Sequence, residues 1–198
     1  MKHLLLLFFF LFSCVSFAQK VKIETSMGSI TVELYADKAP ITVANFLRYV
    51  DEKRYDGGEF YRVVRLDNQQ TSPVKIEVIQ GGVHDDSSKI LLPIKQETTN
   101  ITGIKHVDGA ISLARGAPSS GASEFFICVN DQPDLDYGGK RNPDGQGFAA
   151  FGKVIKGMKV VRKIQQGATG MPAATNAFSN PTQYLKMPVR IKSVKRVK

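Results

Sequence analysis

One arginine stands among apolar residues in the Phe-Tyr-Arg-Val-Val segment at residues 60–64, which has the composition of a β-strand. A guanidinium is costly to bury unless it holds a partner, so Arg62 is a candidate for contact with a ligand or with another polar group. A second short strand is predicted at residues 78–82, where Gln80 precedes two glycines. Arg62 is therefore the first residue whose type and position suggest chemistry.

The stretch of residues 109–128 reads as two apolar strands joined by a loop of small residues. Ile111 and Leu113 alternate in the first strand, and Phe125 to Cys128 form the second. The loop between them is made largely of Ala114, Gly116, Ala117, Ser119, Ser120, Gly121 and Ala122. Small side chains leave the backbone N–H and C=O groups open to an extended peptide. An ordinary connection between two core strands is the alternative interpretation of this stretch alone.

Taken together, these segments resemble the cyclophilin family of peptidyl-prolyl isomerases. The family's Phe-His-Arg strand matches residues 60–62, its Gln-Gly-Gly matches residues 80–82, and its Ser-Gln-Phe-Phe-Ile matches residues 123–127. The resemblance runs from about Val21 to Lys198. Several motifs in the family's order make it far more specific than any one motif alone.

The resemblance implies a site for rotation about X-Pro bonds, in which Arg62 is the catalytic donor and Phe60 helps to wall the site. It implies substrate contacts for Phe60, Val78, Gln80, Ala114, Arg115, Gly116, Glu124, Phe126, Leu135 and Phe148.

Within that set, Val78, Phe126 and Leu135 match the family's pocket for the proline ring. Gln80 and the backbone around residues 114–116 match the groups that anchor the peptide. Plain core packing is the alternative for Val78 and Phe126, and a surface salt bridge is the alternative for Arg62.

The implied reaction is simple in chemical terms. Rotation about an X-Pro bond faces a barrier of ~18–20 kcal/mol because amide resonance must be broken, and no covalent bond is cleaved. An apolar pocket for the ring, polar anchors for the peptide and a donor to the twisted bond lower that barrier. A guanidinium suits the last task, because it favours the pyramidal proline nitrogen and its lone pair. We therefore expect no cofactor.

Several features differ from the family pattern. Glu124 stands where the family usually has Gln, Asp134 where many members have Trp, and Phe148 where many have His. Phe148 is compatible with a pocket wall. Glu124 could pair with Arg62 and fix its position, or it could draw the guanidinium away from the substrate. Residues 65–75 are longer and more polar than the expected tight turn, and they read as an inserted loop.

Two further groups of polar residues are of types that could do chemistry. Residues 84–86, His-Asp-Asp, are three possible metal ligands in a row. Adjacent residues of an extended chain point to opposite sides and no fourth ligand is suggested, so we expect no metal site. His106 shows no partner in the sequence that would make it a base.

Hydrophobic periodicity predicts the elements that position these residues. A hairpin is expected between residues 21–23 and 30–34, and a helix with an apolar stripe should begin near Pro40. A second helix is expected at residues 157–166, closed by Gly167 in a left-handed conformation. Polar residues 168–187 read as a loop that precedes a final strand at residues 189–197.

Many antiparallel strands, two helices and the lack of a βαβ rhythm predict a mainly β protein, a closed barrel capped at its ends. The resemblance implies eight antiparallel strands with an α-helix at either opening. Neither internal repeats nor a second domain are visible in the sequence.

The first residues read as a targeting segment. Lys2 precedes an apolar run too short to span a bilayer, and small residues stand at the cleavage positions before Ala18. We predict a signal peptide at residues 1–18 and one isomerase domain at residues 19–198. A lipid anchor at Cys14 is the alternative, because the residues around it loosely resemble a lipoprotein cleavage box.

Composition agrees with one exported domain. The chain of 198 residues has 27 Lys and Arg against 18 Asp and Glu, a net charge of +9. These charges are scattered and not interleaved with stacking aromatics, which favours a solvated surface over a nucleic-acid site. Removal of the first 18 residues would leave Cys128 as the sole cysteine, so it could form no intramolecular disulfide and reads as a core residue.

These observations predict a monomeric isomerase, periplasmic or secreted, that assists the folding of exported proteins. Its expected partners are proline-containing segments of unfolded or folding proteins. A module that binds such segments as a chaperone, without catalysis, is the alternative. A carbohydrate-binding barrel is disfavoured because the chain has no tryptophan.

Overall fold

The computed structural model describes residues 19–84, 86–170 and 181–197. Its strands are β1 Gln19–Thr25, β2 Gly28–Leu34, β3 Glu59–Val64, β4 Val78–Gly82, β5 Ala110–Leu113, β6 Phe125–Cys128, β7 Ala149–Lys156 and β8 Tyr184–Val197. They close into a barrel in the order β1-β2-β7-β5-β6-β4-β3-β8, and all neighbours pair antiparallel. The predicted mainly β fold with a closed eight-stranded antiparallel barrel is confirmed.

The first two strands form the predicted hairpin. Val21 lies opposite Val32 and Ile23 lies opposite Ile30, and all four side chains are fully buried. Because side chains alternate between the faces of a strand, this register puts one face of the hairpin inside the barrel.

In the described part of the chain, two helices of two or more turns cover the barrel, as expected. Helix α1, Pro40–Asp51, packs against β7 and β8, and helix α3, Met158–Gln165, packs against β2, β3 and β4. A further one-turn helix, α2 at Thr99–Thr102, was not predicted. Four residues carry too little periodicity to be recognised in a sequence.

The sequence predicts that Gly167 adopts a left-handed conformation at the end of α3, and that prediction is wrong. The left-handed glycine of α3 is Gly157, with φ 97°, and it lies before the helix. Gly167 has no such backbone angle, but a side chain there would place Cβ only 2.5 Å from Cδ2 of Leu185. Close packing against β8 therefore favours the glycine, because a larger residue would displace the side chain of Leu185.

Inside the barrel, a large core contains the rings of Phe46, Tyr55, Phe60, Phe125 and Phe151. A smaller apolar cluster lies outside it and consists of Val64, Ile76, Val78, Ala110, Phe126, Cys128 and Leu135. Cys128 is fully buried there, so its predicted core position is confirmed.

Strand β8 begins at Tyr184, earlier than the final strand that the sequence predicts at residues 189–197.

Some predictions concern residues outside the described ranges. They are the signal peptide at residues 1–18, the alternative anchor at Cys14, the middle residue of the 84–86 triplet and residues 171–180 of the loop predicted at residues 168–187. Among the residues that are described, no helix has the length and apolar character needed to cross a membrane.

Candidate functional site

A groove of about 580 Å³ lies outside the barrel, across strands β3, β4 and β6. It brings together residues that are far apart in the sequence. Ten of the predicted site residues line it, namely Arg62, Val78, Gln80, Ala114, Arg115, Gly116, Glu124, Phe126, Leu135 and Phe148.

Phe60 does not line the groove. Its ring is fully buried in the barrel core, edge-on to Phe125 with 5.7 Å between the ring centroids. The register of β3 against β4 shifts between Phe60 and Arg62, and this bulge changes the alternation of the strand. Tyr61 and Arg62 therefore both face the groove. The expectation that Phe60 walls the site is corrected accordingly.

Two amide side chains hold the guanidinium of Arg62. Its Nη1 donates to Oε1 of Gln80 at 2.6 Å, and its Nε and Nη2 donate to Oε1 of Gln183 at 3.1 and 2.6 Å. Nε2 of Gln80 donates in turn to the hydroxyl of Tyr61 at 2.8 Å. Burial lowers the pKa of Arg62, but a guanidinium is so strongly basic that the group stays charged. A fixed cation therefore faces the groove.

Glu124 neither pairs with Arg62 nor draws it away. Its Oε1 accepts the backbone N–H of His84 at 3.0 Å and the hydroxyl of Ser123 at 3.2 Å. Burial and then the carboxylate of Glu124 raise the pKa of Tyr61 well above its usual value. Tyr61 is thus a neutral hydroxyl beside Gln80 across the accessible pH range.

An apolar pocket adjoins Arg62 in the groove. Phe126 and Phe148 meet edge to face, with 5.2 Å between ring centroids, and Val78 and Leu135 complete the wall. We call these four residues the ring pocket. Its walls carry no polar side-chain atoms, so an apolar ring can enter it without leaving buried polar groups unpaired.

Arg115 packs against Phe148 at the edge of the ring pocket, and its charge is neutralised by an ion pair. Its guanidinium lies over the face of Phe148, 5.2 Å from the ring centroid, and forms a bidentate ion pair with Asp144 at 2.7 and 2.9 Å. It also donates to the carbonyl oxygen of Gly147. Its neighbours Ala114 and Gly116 also line the groove, and their small size leaves the backbone of the loop accessible to a peptide.

His106 has partners that the sequence did not reveal. Its Nδ1 lies 2.8 Å from Oδ1 of Asp136, its Nε2 lies 3.0 Å from Oγ of Ser112, and its ring stacks on Phe126 at 5.9 Å. Ser112 is fully buried, so this trio cannot act on a substrate. His106 is buried and does not line the groove, so the trio supports the ring pocket through its stacking on Phe126.

This trio predicts a pH dependence of stability. Burial alone would raise the pKa of Asp136, but hydrogen bonds from the side chain and backbone N–H of His106 lower it overall. A carboxyl with a lowered folded pKa stabilises the fold above its unfolded pKa, about 4, and loses that contribution as pH falls through the folded value. We expect Asp136→Asn to cost about 1 kcal/mol at neutral pH and to flatten the loss of stability in acid.

Denaturant unfolding of both proteins at pH 7, 4 and 3 measures this effect. Parallel stability curves for Asp136→Asn and the unmodified protein would contradict it.

Gln183 is the main site residue that sequence reasoning missed. It follows Arg62 by 121 positions, in a passage that was predicted to be a loop. It is buried, and its Nε2 donates to the carbonyl oxygen of Asn68, in the connection between β3 and β4, at 3.2 Å. The contact exists because barrel closure puts β8 beside β3, and no local pattern signals that. Tyr61, Arg141 and Tyr184 also line the groove without having been predicted.

Comparison with known proteins points to one family. The family model described as cyclophilin type peptidyl-prolyl cis-trans isomerase/CLD matches residues 20–196. A peptidyl-prolyl cis-trans isomerase of Acinetobacter baylyi is 36% identical over 178 residues, which cover 88% of this chain and 83% of that protein. Peptidyl-prolyl cis-trans isomerase B of Escherichia coli is 37% identical over 154 residues, 76% of this chain and 86% of that one.

Solved structures agree on the fold. A crystal structure of a Cryptosporidium parvum cyclophilin type peptidyl-prolyl cis-trans isomerase, in the presence of the dipeptide Ala-Pro, matches with a TM-score of 0.65. The match covers 91% of this chain and 99% of that one, at 20% identity. At that identity the likeness shows the shared barrel alone.

Proposed function

Since this chain belongs to the family of cyclophilin-type peptidyl-prolyl cis-trans isomerases, we propose that the groove around Arg62 is where it rotates X-Pro bonds. One observation carries the proposal. A guanidinium that is held by two amide oxygens lies beside an apolar pocket of the right character for a proline ring. Those are the two elements that rotation about an X-Pro bond requires.

The arrangement lowers the barrier in two ways. The ring pocket holds the proline while the preceding peptide unit turns, which fixes one end of the rotating bond. The charge of Arg62 stabilises the pyramidal nitrogen and its lone pair, which exist only in the twisted state. Because Gln80 and Gln183 already hold the guanidinium, no reorganisation is needed when that lone pair forms.

The order of the strands suggests how the peptide lies. Strand β6, which carries Phe126, separates β5 from β4 and β3. On the β5 side, the open backbone of residues 114–116 takes the residues before the proline. On the other side, the chain after the proline passes Arg62 and leaves along the connection between β3 and β4.

A test without a coupling protease decides between catalysis and mere binding. Exchange spectroscopy by NMR on a blocked Ala-Ala-Pro-Gln-Ala peptide measures the cis-trans rate directly. We expect substoichiometric protein to accelerate the exchange. Saturable binding at an unchanged exchange rate would refute the proposal and favour the chaperone alternative.

We also propose that the substrates are exported proteins. The support is the sequence of residues 1–18, with its basic start, apolar run and small residues before Ala18. Mass spectrometry of the mature protein tests it. A chain that begins at Gln19 supports cleavage by a signal peptidase, a lipid-modified Cys14 supports the anchored alternative, and an intact Met1 refutes export by either route.

Gln183 is expected to act as a positioning residue. Gln183→Leu keeps the side-chain volume but removes the acceptor of two of the three hydrogen bonds of Arg62. We expect kcat to fall about tenfold with KM within about twofold, because the guanidinium then samples other positions while the ring pocket is unchanged.

Steady-state exchange rates over a range of peptide concentrations separate the two constants. Gln166→Leu, at the exposed end of α3, is the matched control. A normal kcat in a folded Gln183→Leu protein would show that Gln80 alone positions Arg62.

A further inference from the structure

The groove holds more positive charge than catalysis by Arg62 requires. Among the described residues, three guanidinium groups line it, those of Arg62, Arg115 and Arg141, together with one carboxylate, that of Glu124. Asp144 neutralises Arg115. Glu124 accepts only neutral donors, at Oε1, and its buried Oε2 has no hydrogen-bond partner in the described part of the chain, so its negative charge offsets part of the positive charge of the groove. Arg141 is nevertheless a second guanidinium beside Arg62, and its charge is the one to be accounted for.

Arg141 is fixed by neutral acceptors. Its Nη1 donates to Oε1 of Gln69 at 3.2 Å, to Oγ of Ser72 at 2.5 Å and to the carbonyl oxygen of Val74 at 2.6 Å. Its backbone N–H donates to the carbonyl oxygen of Asp134. Among the residues that the structure describes, no carboxylate forms an ion pair with Arg141, and its Nε and Nη2 form no hydrogen bond. Two donors of a rigid guanidinium are thus left for a ligand.

The positive charges of Arg62 and Arg141 also affect each other. Burial lowers the pKa of Arg141, and the positive charge of Arg62 lowers it further. Two cations that face one groove repel each other, and a bound anion would relieve the repulsion. A carboxylate fits the remaining donors because the guanidinium presents them as a planar fork.

The position of Arg141 indicates which part of a substrate it meets. All three side-chain contacts of Arg141 are to the connection between β3 and β4, on the Arg62 side of Phe126. In the proposed binding mode, the residues that follow the proline leave the groove on this side. The neutralised Arg115 lies on the opposite side, next to the residues that precede the proline.

Building on the proposed function, we propose that the groove selects X-Pro segments in which an acidic residue follows the proline. Arg141 binds the side-chain carboxylate of that residue through Nε and Nη2. The substrate class is thus X-Pro-Glu and X-Pro-Asp segments, and Arg141 is a specificity residue separate from the catalytic Arg62.

Exchange spectroscopy on three blocked peptides tests the selectivity, Ala-Ala-Pro-Glu-Ala and its counterparts with Gln or Lys in place of Glu. At low ionic strength we expect kcat/KM for the Glu peptide to exceed that for the Gln peptide by about fivefold, and the Lys peptide to be the poorest. In about 1 M salt the three values should converge, because that ionic strength screens a partly exposed charge pair.

Three variants assign the effect to the charge of Arg141. Arg141→Gln should remove the preference for Glu, and Arg141→Lys should retain most of it, although both disturb the contacts to the β3–β4 connection. Lys159→Gln, on the exposed surface of α3, changes the net charge by the same amount and should leave the preference intact.

The outcomes separate this inference from the proposed function. Catalysis with equal kcat/KM for the Glu and Gln peptides, or a preference that survives in Arg141→Gln, overturns the inference and leaves the isomerase site standing. Failure to accelerate any of the three peptides overturns the proposed site itself.

Discussion

Arg62→Ala is expected to lower kcat/KM for an X-Pro peptide by about a hundredfold. The variant removes the donor that we propose stabilises the twisted bond, and loss of a single donor of this kind has effects of that order. It leaves the ring pocket intact, so peptide affinity should change far less than turnover. The exchange rate and a separate binding titration measure the two quantities.

Stability must be checked for this variant, because Gln80 and Gln183 lose their donor. The buried acceptor of Gln183 costs about 1–3 kcal/mol when it has no partner, whereas water can reach the half-buried acceptor of Gln80. Arg62→Lys is the useful comparison, since a lysine restores charge but cannot donate to both glutamines at once. Near-normal turnover in a folded Arg62→Ala protein would refute the assignment of Arg62 as the catalytic residue.

Phe126→Ala is expected to weaken peptide binding by about thirtyfold. The side chain is buried in the small apolar cluster and forms the centre of the ring pocket, so its loss leaves the proline without its main contact. We expect kcat to fall less than affinity, because Arg62 keeps its hydrogen bonds to Gln80 and Gln183.

The neighbouring phenylalanine provides the control. Phe125 lies on the same strand but faces the barrel core, where its ring meets Phe46, Tyr55 and Phe60. Phe125→Leu should lower the free energy of unfolding by about 1–2 kcal/mol and leave peptide affinity unchanged. If both substitutions weaken binding equally, the effect is one of fold integrity and the ring pocket is assigned incorrectly.

Much of the framework of the fold follows from local sequence. The hairpin of β1 and β2 and the helix that begins at Pro40 are short-range features, set by alternation, by periodicity and by proline at the first turn. The same holds for the strand that carries Arg62 and for the strand that carries Phe126, whose motifs also indicated the family. Such features can be predicted from the sequence because they depend on residues that are close together in the chain.

The details of the site were decided by contacts between distant segments. The bulge in β3 turned Phe60 into the core and left Tyr61 and Arg62 facing the groove, although simple alternation would put Phe60 and Arg62 on one face. Glu124 binds the backbone at His84 and not Arg62, because the chain after β4 passes close to it. His106 gained Asp136 and Ser112 in the same way.

By itself, then, the sequence determined the mainly β barrel, through alternation and short spacings. It also determined the family and most of the predicted groove residues, because several short motifs in order resemble those of that family. Tertiary structure alone decided what holds each charge. Barrel closure brings Gln183 to Arg62, and the connection between β3 and β4 supplies Arg141 with neutral acceptors. A charged side chain takes its partner from whichever segment packs beside it, and that packing depends on the whole fold rather than on local sequence.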